Sequence, residues 1–206
     1  GSQCVDCHMP ATTYMGVDAR RDHSMRIPRP DLSLVLGTPN ACTGCHSDRD
    51  DTWALNALRD WGVAPGDTAS HPARILQRLR EGDRRAAEGV RAQVADPALA
   101  PLWRATAMET LGNSGDGRLA DTAAPLLAGD EPLLRLAAVR SAQALPPGQR
   151  YPLLRPLVTD PVSAVRMEVA ATLAAVPLDR LGDDDRKALE ALFAEYLAIQ
   201  AEHADM

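Results

Sequence analysis

The chain has 206 residues, with 28 acidic and 22 basic side chains and a formal net charge of −6. Without a basic excess it lacks the electrostatic pattern that attracts nucleic acids and anionic membrane surfaces, so no nucleic acid is expected as a partner. No apolar run approaches the ~18 residues that a membrane span requires. The chain begins with Gly1 rather than Met, and we expect it to be a fragment of a longer polypeptide.

The first pattern along the chain is a Cys-x-x-Cys-His motif at residues 4–8, which recurs at residues 42–46. All four cysteines lie in these two motifs, so none remains for a disulfide or a nucleophile. On one helical turn, positions i, i+3 and i+4 share a face, so both thiols and the imidazole of a motif point together. This spacing is the signature of covalent c-type haem attachment. The sequence therefore predicts two haem c groups, with thioether bonds to Cys4, Cys7, Cys42 and Cys45 and with His8 and His46 as proximal iron ligands.

The same four cysteines allow a second interpretation, which is a structural zinc site built from two Cys-x-x-Cys pairs. A tetrathiolate site needs neither histidine, yet His follows both pairs directly, so haem is the favoured interpretation. Protein made in a cytosol that lacks haem attachment could still hold zinc at Cys4, Cys7, Cys42 and Cys45, or remain without any cofactor.

Two histidines outside the motifs are candidates for the sixth position of an iron. A second His at that position gives a low-potential electron carrier, whereas an open position allows chemistry. His23 lies in the loop between the motifs, away from any helical repeat, and is the preferred distal ligand. His71 precedes Pro72 at the start of a predicted helix and is the second candidate, its alternative being a helix-end residue. At least one iron is left without an assigned sixth ligand.

Arginines are concentrated in the same loop. A guanidinium fork suits the carboxylate of a haem propionate, so these side chains are candidate propionate partners. Ion pairing with Asp18, Asp22 and Asp31 is an alternative of equal weight. Two tryptophans after the second motif, Trp53 and Trp61, are candidates either to cover a haem edge or to pack as ordinary helix residues. The four arginines are Arg20, Arg21, Arg26 and Arg29.

Residues 1–50 are interrupted by Pro and Gly and have poor hydrophobic periodicity. Such a segment cannot bury enough apolar surface to offset its backbone entropy, so haem would supply the missing core. We therefore predict a loop-rich c-type haem module over residues 1–50. Within it, Thr38 and Pro39 are predicted as the N-cap and the first residue of the helix that carries the second motif.

From residue 51 onward apolar residues recur at helical spacing, and Ala and Leu dominate. Aromatic residues make up only 3% of the chain, which disfavours a sheet and predicts an all-α fold. The predicted helices are 51–61, 71–81, 83–95, 99–112, 118–128, 132–145, 149–158, 162–176 and 183–203.

An internal repeat of 31 residues relates three of these helices at Trp103-Arg104, Leu134-Arg135 and Val165-Arg166. An Asp that can cap a helix and a Pro that fits its first turn precede each one. The pattern predicts a HEAT-like α-solenoid over residues 51–206, in which each unit buries its apolar face only against its neighbours. We expect the repeated arginine to form a structural ladder, paired with Asp or with a helix C-terminal carbonyl of the next unit; the alternative is that it lines a concave binding surface.

Three stretches of sequence, residues 4–10, 20–33 and 37–46, together carry a family resemblance. They resemble the C-terminal haem region of bacterial multihaem cytochromes of the cytochrome c-554 type, in forms fused to HEAT or tetratricopeptide repeats. The resemblance implies that His8 and His46 are proximal ligands and that His23 is an axial ligand to this or a neighbouring haem. Such families usually carry four or more haems, whereas this chain has two motifs.

The sequence thus predicts an electron carrier rather than an enzyme. We expect it in the periplasm, because covalent haem attachment takes place outside the bacterial cytoplasm, and we expect the export signal to lie in the parent polypeptide rather than in this chain. Its expected partner is a redox protein or an upstream haem domain of the same polypeptide. Two alternatives remain: a haem enzyme with an open iron that acts on nitrogen oxides or hydroxylamine, and a zinc-binding HEAT-like interaction protein.

Overall fold

The structure is a computed structural model that describes residues 3–25, 27–64 and 66–203. Over these ranges the chain is mostly helical, with twelve α-helices and one small two-stranded hairpin. It divides into two compact units, residues 1–74 and residues 75–206. Within the described ranges, no helix combines the length and the apolar content that crossing a membrane requires. The expectation of a mainly helical fold is therefore confirmed, and the hairpin is an addition to it.

The first unit contains both Cys-x-x-Cys-His motifs on short elements. Its strands pair antiparallel, with Ala11 opposite Arg21 and Tyr14 opposite Asp18. A turn with positive φ at Met15 and at Gly16 joins them. The elements in chain order are helix α1 (Cys4–His8), strands β1 (Ala11–Tyr14) and β2 (Asp18–Arg21), and helices α2 (Pro30–Leu36), α3 (Ala41–Cys45) and α4 (Asp51–Asp60).

The prediction that residues 1–50 are irregular is wrong for the hairpin and for α2. Helix α2 begins at Pro30, because the fixed φ of proline suits the first helical position. It ends at Gly37, which has φ 66° and closes the helix in the left-handed conformation that glycine adopts without strain. Helix α2 then packs against α4, and this contact buries Ala54, Leu55 and other residues of the first unit.

The start of α3 also differs from the prediction of Thr38 as N-cap and Pro39 as first helical residue. The N-cap is Asn40, whose Oδ1 accepts hydrogen bonds from the backbone N–H groups of Cys42 at 3.0 Å and Thr43 at 3.1 Å. An Asn side chain satisfies two of the orphan donors at a helix start in this way. The helix therefore begins at Ala41, directly before the first cysteine of the motif.

The helices predicted after residue 51 are confirmed, with ends that shift by a few residues. Helix α4 is one of them, and it contacts α2 and α3 within the first unit. Short 3₁₀ turns extend several of the others. The remaining helices are α5 (Pro72–Arg80), α6 (Ala87–Ala95), α7 (Pro101–Gly112), α8 (Leu119–Leu127), α9 (Pro132–Ser141), α10 (Pro147–Leu154), α11 (Ser163–Leu173) and α12 (Asp183–His203).

The second unit is organised around a continuous apolar core that runs from Leu76 to Leu192 among the described residues. Helix α9 packs against α7, α8 and α11, while α7 also contacts α6 and α11 also contacts α12. Met108, Leu111 and Leu173 are fully buried between these helices. Each helix therefore buries its apolar face mainly against helices that are close to it in sequence.

Each repeated arginine donates to a backbone carbonyl that precedes it in the chain. The acceptor of Arg104 lies in the last turn of α6, ten residues before it, whereas the acceptors of Arg135 and Arg166 lie six residues before them, in the turns that lead into α9 and α11. The prediction placed this carbonyl in the next unit, and it instead lies on the N-terminal side of each arginine. The bonds run from Arg104 to Val94, from Arg135 to Gly129 and from Arg166 to Asp160, at 2.9, 2.9 and 2.7 Å.

The predicted pairing of this arginine with an Asp of the next unit is confirmed at Arg135. Its guanidinium donates to both carboxylate oxygens of Asp160, at 2.7 and 3.2 Å, and both side chains are buried. Asp160 also accepts from the backbone N–H of Val162 at 2.8 Å. The buried pair therefore joins α9 to the turn that leads into α11.

Replacement of Asp160 by Ala should leave the buried Arg135 cation without its carboxylate. Removal of one partner of a buried ion pair typically costs several kcal/mol, so we expect the free energy of unfolding to fall by about 3 kcal/mol. Chemical denaturation followed by circular dichroism would measure it. Glu109→Ala is the matched control, because it breaks an exposed arginine–carboxylate pair with Arg140 in the same unit. Equal midpoints for the two variants would contradict the prediction.

Candidate functional site

The first motif forms the whole of helix α1. Cys4, Cys7 and His8 lie on its single turn, which is closed by hydrogen bonds such as the one from Met9 N to Val5 O at 2.9 Å. Both thiols are free and exposed. The predicted helical turn is therefore present, and its thiols are accessible for a covalent reaction.

Arg21 on strand β2 fastens α1 to the hairpin. Its Nη1 donates to the carbonyl oxygens of Val5 and Met9, both at 3.2 Å, and its Nη2 donates to Asp6 Oδ1 at 3.2 Å. The Val5 carbonyl also accepts the intrahelical hydrogen bond from Met9 N, whereas Met9 is the C-cap, beyond the last helical residue. Arg21, predicted as a propionate partner, is thus placed as a support for the first motif.

The second motif occupies helix α3 and the residue that follows it. Cys42 and Cys45 lie on the helix, and His46 is its C-cap, with its N–H donating to Cys42 O at 2.8 Å. Asn40, the N-cap of this helix, also donates from Nδ2 to Ser33 Oγ at 3.2 Å and to Asp51 Oδ1 at 2.7 Å. One side chain thereby connects the second motif to both α2 and α4.

An aromatic contact stands directly beside the second motif. The ring centroids of His46 and Trp53 are 4.8 Å apart, with an interplanar angle of 55°. The guanidinium of Arg49 lies 5.9 Å from the centroid of the same indole. Trp61, the other tryptophan of this unit, is 73% exposed at the end of α4. Among the described residues, Trp53 therefore makes a ring contact with a residue of a motif.

The two motifs approach each other, because α1 packs against α3. Burial raises the pKa of Cys42, and negative charge on the nearby Cys7 raises it further. Among the residues that the structure describes, no three Cys, His, Asp or Glu side chains converge to hold a single metal ion. The tetrathiolate zinc site therefore stays a hypothesis for protein that has matured without haem.

The other arginines of the loop have carboxylate or aromatic neighbours. Arg20 donates to Asp18 at 2.7 Å and lies 4.9 Å from the centroid of the Tyr14 ring. Arg29 binds Asp31 with two hydrogen bonds, at 2.8 and 2.6 Å. Arg26 falls outside the described residues. The ion-pair alternative is thus present at Arg20 and Arg29, while their binding of propionates stays a prediction.

Asp31 has a buried carboxylate, and its structural role is not evident from the sequence. Hydrogen bonds from Arg29 and then from Thr68 Oγ1 lower the pKa of Asp31 to about 2. The carboxylate joins the start of α2 to the segment before α5. Thr68 lies 37 residues further along the chain, so no local pattern could have revealed the pair.

His23 and His71 occupy different environments. His23 is exposed on the turn after β2. His71 is half-buried, and its Nδ1 accepts a hydrogen bond from the backbone N–H of Ala73 at 3.2 Å at the start of α5. Burial lowers the pKa of His71, and the positive charge of Arg29 lowers it further. His71 is thus placed as a helix-end residue, which was the alternative for it, and distal ligation by either histidine stays a prediction.

Comparison of the chain with protein-family models, with curated proteins and with solved structures finds no match. The site is therefore interpreted from its own residues.

The different burial of the Cys42 and Cys45 thiols predicts the order in which they are alkylated in protein that lacks haem. Thiolate is the reactive form, so the raised pKa and partial burial of Cys42 should make it react several-fold more slowly than the exposed Cys45. Timed iodoacetamide labelling with peptide mass spectrometry would measure both rates. In urea the two rates should become similar, and faster labelling of Cys42 in the folded protein would contradict the prediction.

The lowered pKa of Asp31 predicts a pH dependence of stability. Its folded-state pKa of about 2 lies below the unfolded value near ~3.9, so its stabilising effect is complete above about pH 4 and is lost as the pH falls towards 2. Wild type should lose about 2 kcal/mol through this group over that interval, and Asp31→Asn should not.

Urea unfolding in a Trp103→Phe background would measure this difference, because the remaining tryptophans, Trp53 and Trp61, both belong to the first unit. A constant difference in stability between the two proteins from pH 4 to pH 2 would contradict the assignment.

Proposed function

We propose that this chain is an electron-transfer module of a multihaem c-type cytochrome, with two haem c groups attached at its two Cys-x-x-Cys-His motifs. The observation that carries the proposal is that each motif folds as one short helical turn with cysteines that are free and not buried. Such a turn directs both thiols and the following imidazole to one side. In this proposal the family is that of the cytochrome c-554 type, on the basis of the sequence resemblance alone.

The cysteine and histidine side chains of the two motifs are the donors that haem c requires. Cys4, Cys7, Cys42 and Cys45 would hold it through thioether bonds, and His8 and His46 would provide imidazole ligands. A bound haem would supply reversible one-electron chemistry at its iron. The residues around the motifs hold the donors in position: Arg21 supports the first turn, and Asn40 caps the second.

The exposed apolar surface of the first unit supports the same proposal. Its helices α1 and α3 contain no buried residue, and its strands are exposed throughout. A porphyrin at each motif would add the apolar body that the first unit needs to cover such side chains. Large exposed apolar residues of this unit are Tyr14, Met15, Val17, Met25, Ile27, Leu34, Val35, Trp61 and Val63.

We further propose that the helices of the second unit form a HEAT-like solenoid that serves as a scaffold. The repeated arginine-to-carbonyl bond and the packing of α9 between α7 and α11 support this, because stacked repeats contact only their neighbours. The scaffold would dock a redox partner or an upstream haem domain of the same polypeptide. Since covalent haem attachment takes place outside the bacterial cytoplasm, the proposal places the protein in the periplasm.

The proposal is tested by spectroelectrochemistry of the chain produced with a haem-maturation system. Wild type should show a reduced c-type spectrum and a reversible two-electron titration. The variants Cys4→Ser/Cys7→Ser and Cys42→Ser/Cys45→Ser should each retain about half of the haem absorbance, because each removes one attachment site. A haem spectrum that survives unchanged in either double variant would contradict attachment at that motif.

Carbon monoxide binding tests the distal role of His23 and separates a carrier from a haem enzyme. His23→Ala should open one iron, so that more carbon monoxide binds to the reduced protein than in wild type. His71→Ala is the matched control and should leave the signal unchanged if His71 serves only to cap α5. An unchanged signal in His23→Ala would remove it as a ligand, and binding of carbon monoxide by both irons of wild type would favour the enzyme alternative.

A further inference from the structure

Trp53 is placed by two local contacts that do not depend on a bound group. Asp50 caps helix α4, with its Oδ1 accepting from the backbone N–H of Trp53 at 2.7 Å. Between the two helices the chain turns back, and the N–H of Arg49 donates to the carbonyl of His46 at 3.0 Å. The cap and the turn together bring the third residue of α4 against the residue that ends α3.

The contact between His46 and Trp53 restricts an imidazole that is otherwise exposed. At a centroid separation of 4.8 Å and a tilt of 55°, the rings are within the range of favourable aromatic contacts. Rotation of the imidazole about its side-chain bonds would break this contact. The cation of Arg49, 5.9 Å from the same indole centroid, helps to hold the indole. Arg49 is itself paired with Asp48 at 3.2 Å.

We infer that Trp53 is a positioning residue that sets the orientation of the His46 imidazole. This inference deepens the proposed function, on which its consequence for the iron rests: Trp53 would tune the second haem and leave the first unaffected. The contact with the indole orients the imidazole before any ligand binds. Supporting contacts around metal ligands provide this kind of preorganisation. The contact itself is formed by residues of this chain alone.

Four variants separate the ring contact from general packing. Trp53→Leu keeps apolar bulk but removes the aromatic ring, and Trp53→Phe keeps a ring. Trp61→Leu and Trp61→Phe are the matched controls, since Trp61 lies at the other end of the same helix and is exposed. Circular dichroism of each variant would verify that α4 remains folded. Because Trp53→Phe preserves an aromatic contact, it remains informative even if Trp53→Leu unfolds.

The first measurement uses the full chain without haem. Nuclear magnetic resonance should find the ring protons of His46 shifted by the indole ring current in wild type. The shift should be lost in Trp53→Leu, partly kept in Trp53→Phe and unchanged in both Trp61 variants. An unchanged His46 signal in Trp53→Leu would overturn the inference, regardless of whether the chain can bind haem.

The second measurement uses the haem-loaded chain. Trp53→Leu should shift the midpoint potential and alter the electron paramagnetic resonance signal of one haem only, and Trp53→Phe should largely restore both. Equal changes in the two haems, or no change in either, would overturn the tuning role. A wild-type chain that carries no haem after maturation would refute the proposed function instead, and the His46 shift would still decide the orientation of the imidazole.

Discussion

The scarcity of buried apolar surface in the first unit is the constraint on which the arrangement of both motifs depends. Helices of five residues cannot satisfy their own terminal backbone groups, and α1 and α3 bury none of their side chains. Polar side chains therefore stabilise both short helices. Arg21 donates to the carbonyls of Val5 and Met9 at α1, and Asn40 caps α3 and hydrogen-bonds to residues of α2 and α4. The buried carboxylate of Asp31 adds a charged connection. The result is two supported turns whose thiols remain accessible.

The second unit is stabilised mainly by buried apolar side chains. Its helices bury Leu, Val and Ala continuously against sequence neighbours, so few aromatic residues are needed. Backbone carbonyls between the helices accept hydrogen bonds from the repeated arginines that follow them in the chain. Arg135 and Arg166 also donate to a carboxylate that comes later in the sequence. The repeat in the sequence thus corresponds to a recurring type of hydrogen bond, although the acceptor of Arg104 lies ten residues before it and those of Arg135 and Arg166 six.

The elements that can be predicted from the sequence are those with a local, periodic pattern of apolar residues. The helices after residue 51 carry apolar positions at helical spacing together with Asp and Pro at their starts, so their existence was predictable. The hairpin and α2 lack clear hydrophobic periodicity and are therefore not predicted, although Pro30 suits the first position of a helix and Gly37 its C-cap. Contacts between distant residues, such as Asp31 with Thr68, leave no periodic trace. In the site, the motifs were predictable from spacing, whereas the contact of Trp53 with His46 was not.

The intact mass of the chain after haem maturation tests most directly whether both motifs carry covalent haem. The mass should exceed that of the polypeptide by two haem groups and should persist under denaturing conditions, because thioether bonds survive unfolding. Digestion should then assign one haem to the peptide with Cys4 and Cys7 and one to the peptide with Cys42 and Cys45. A mass equal to that of the bare polypeptide, or to polypeptide with zinc alone under native conditions, would contradict it.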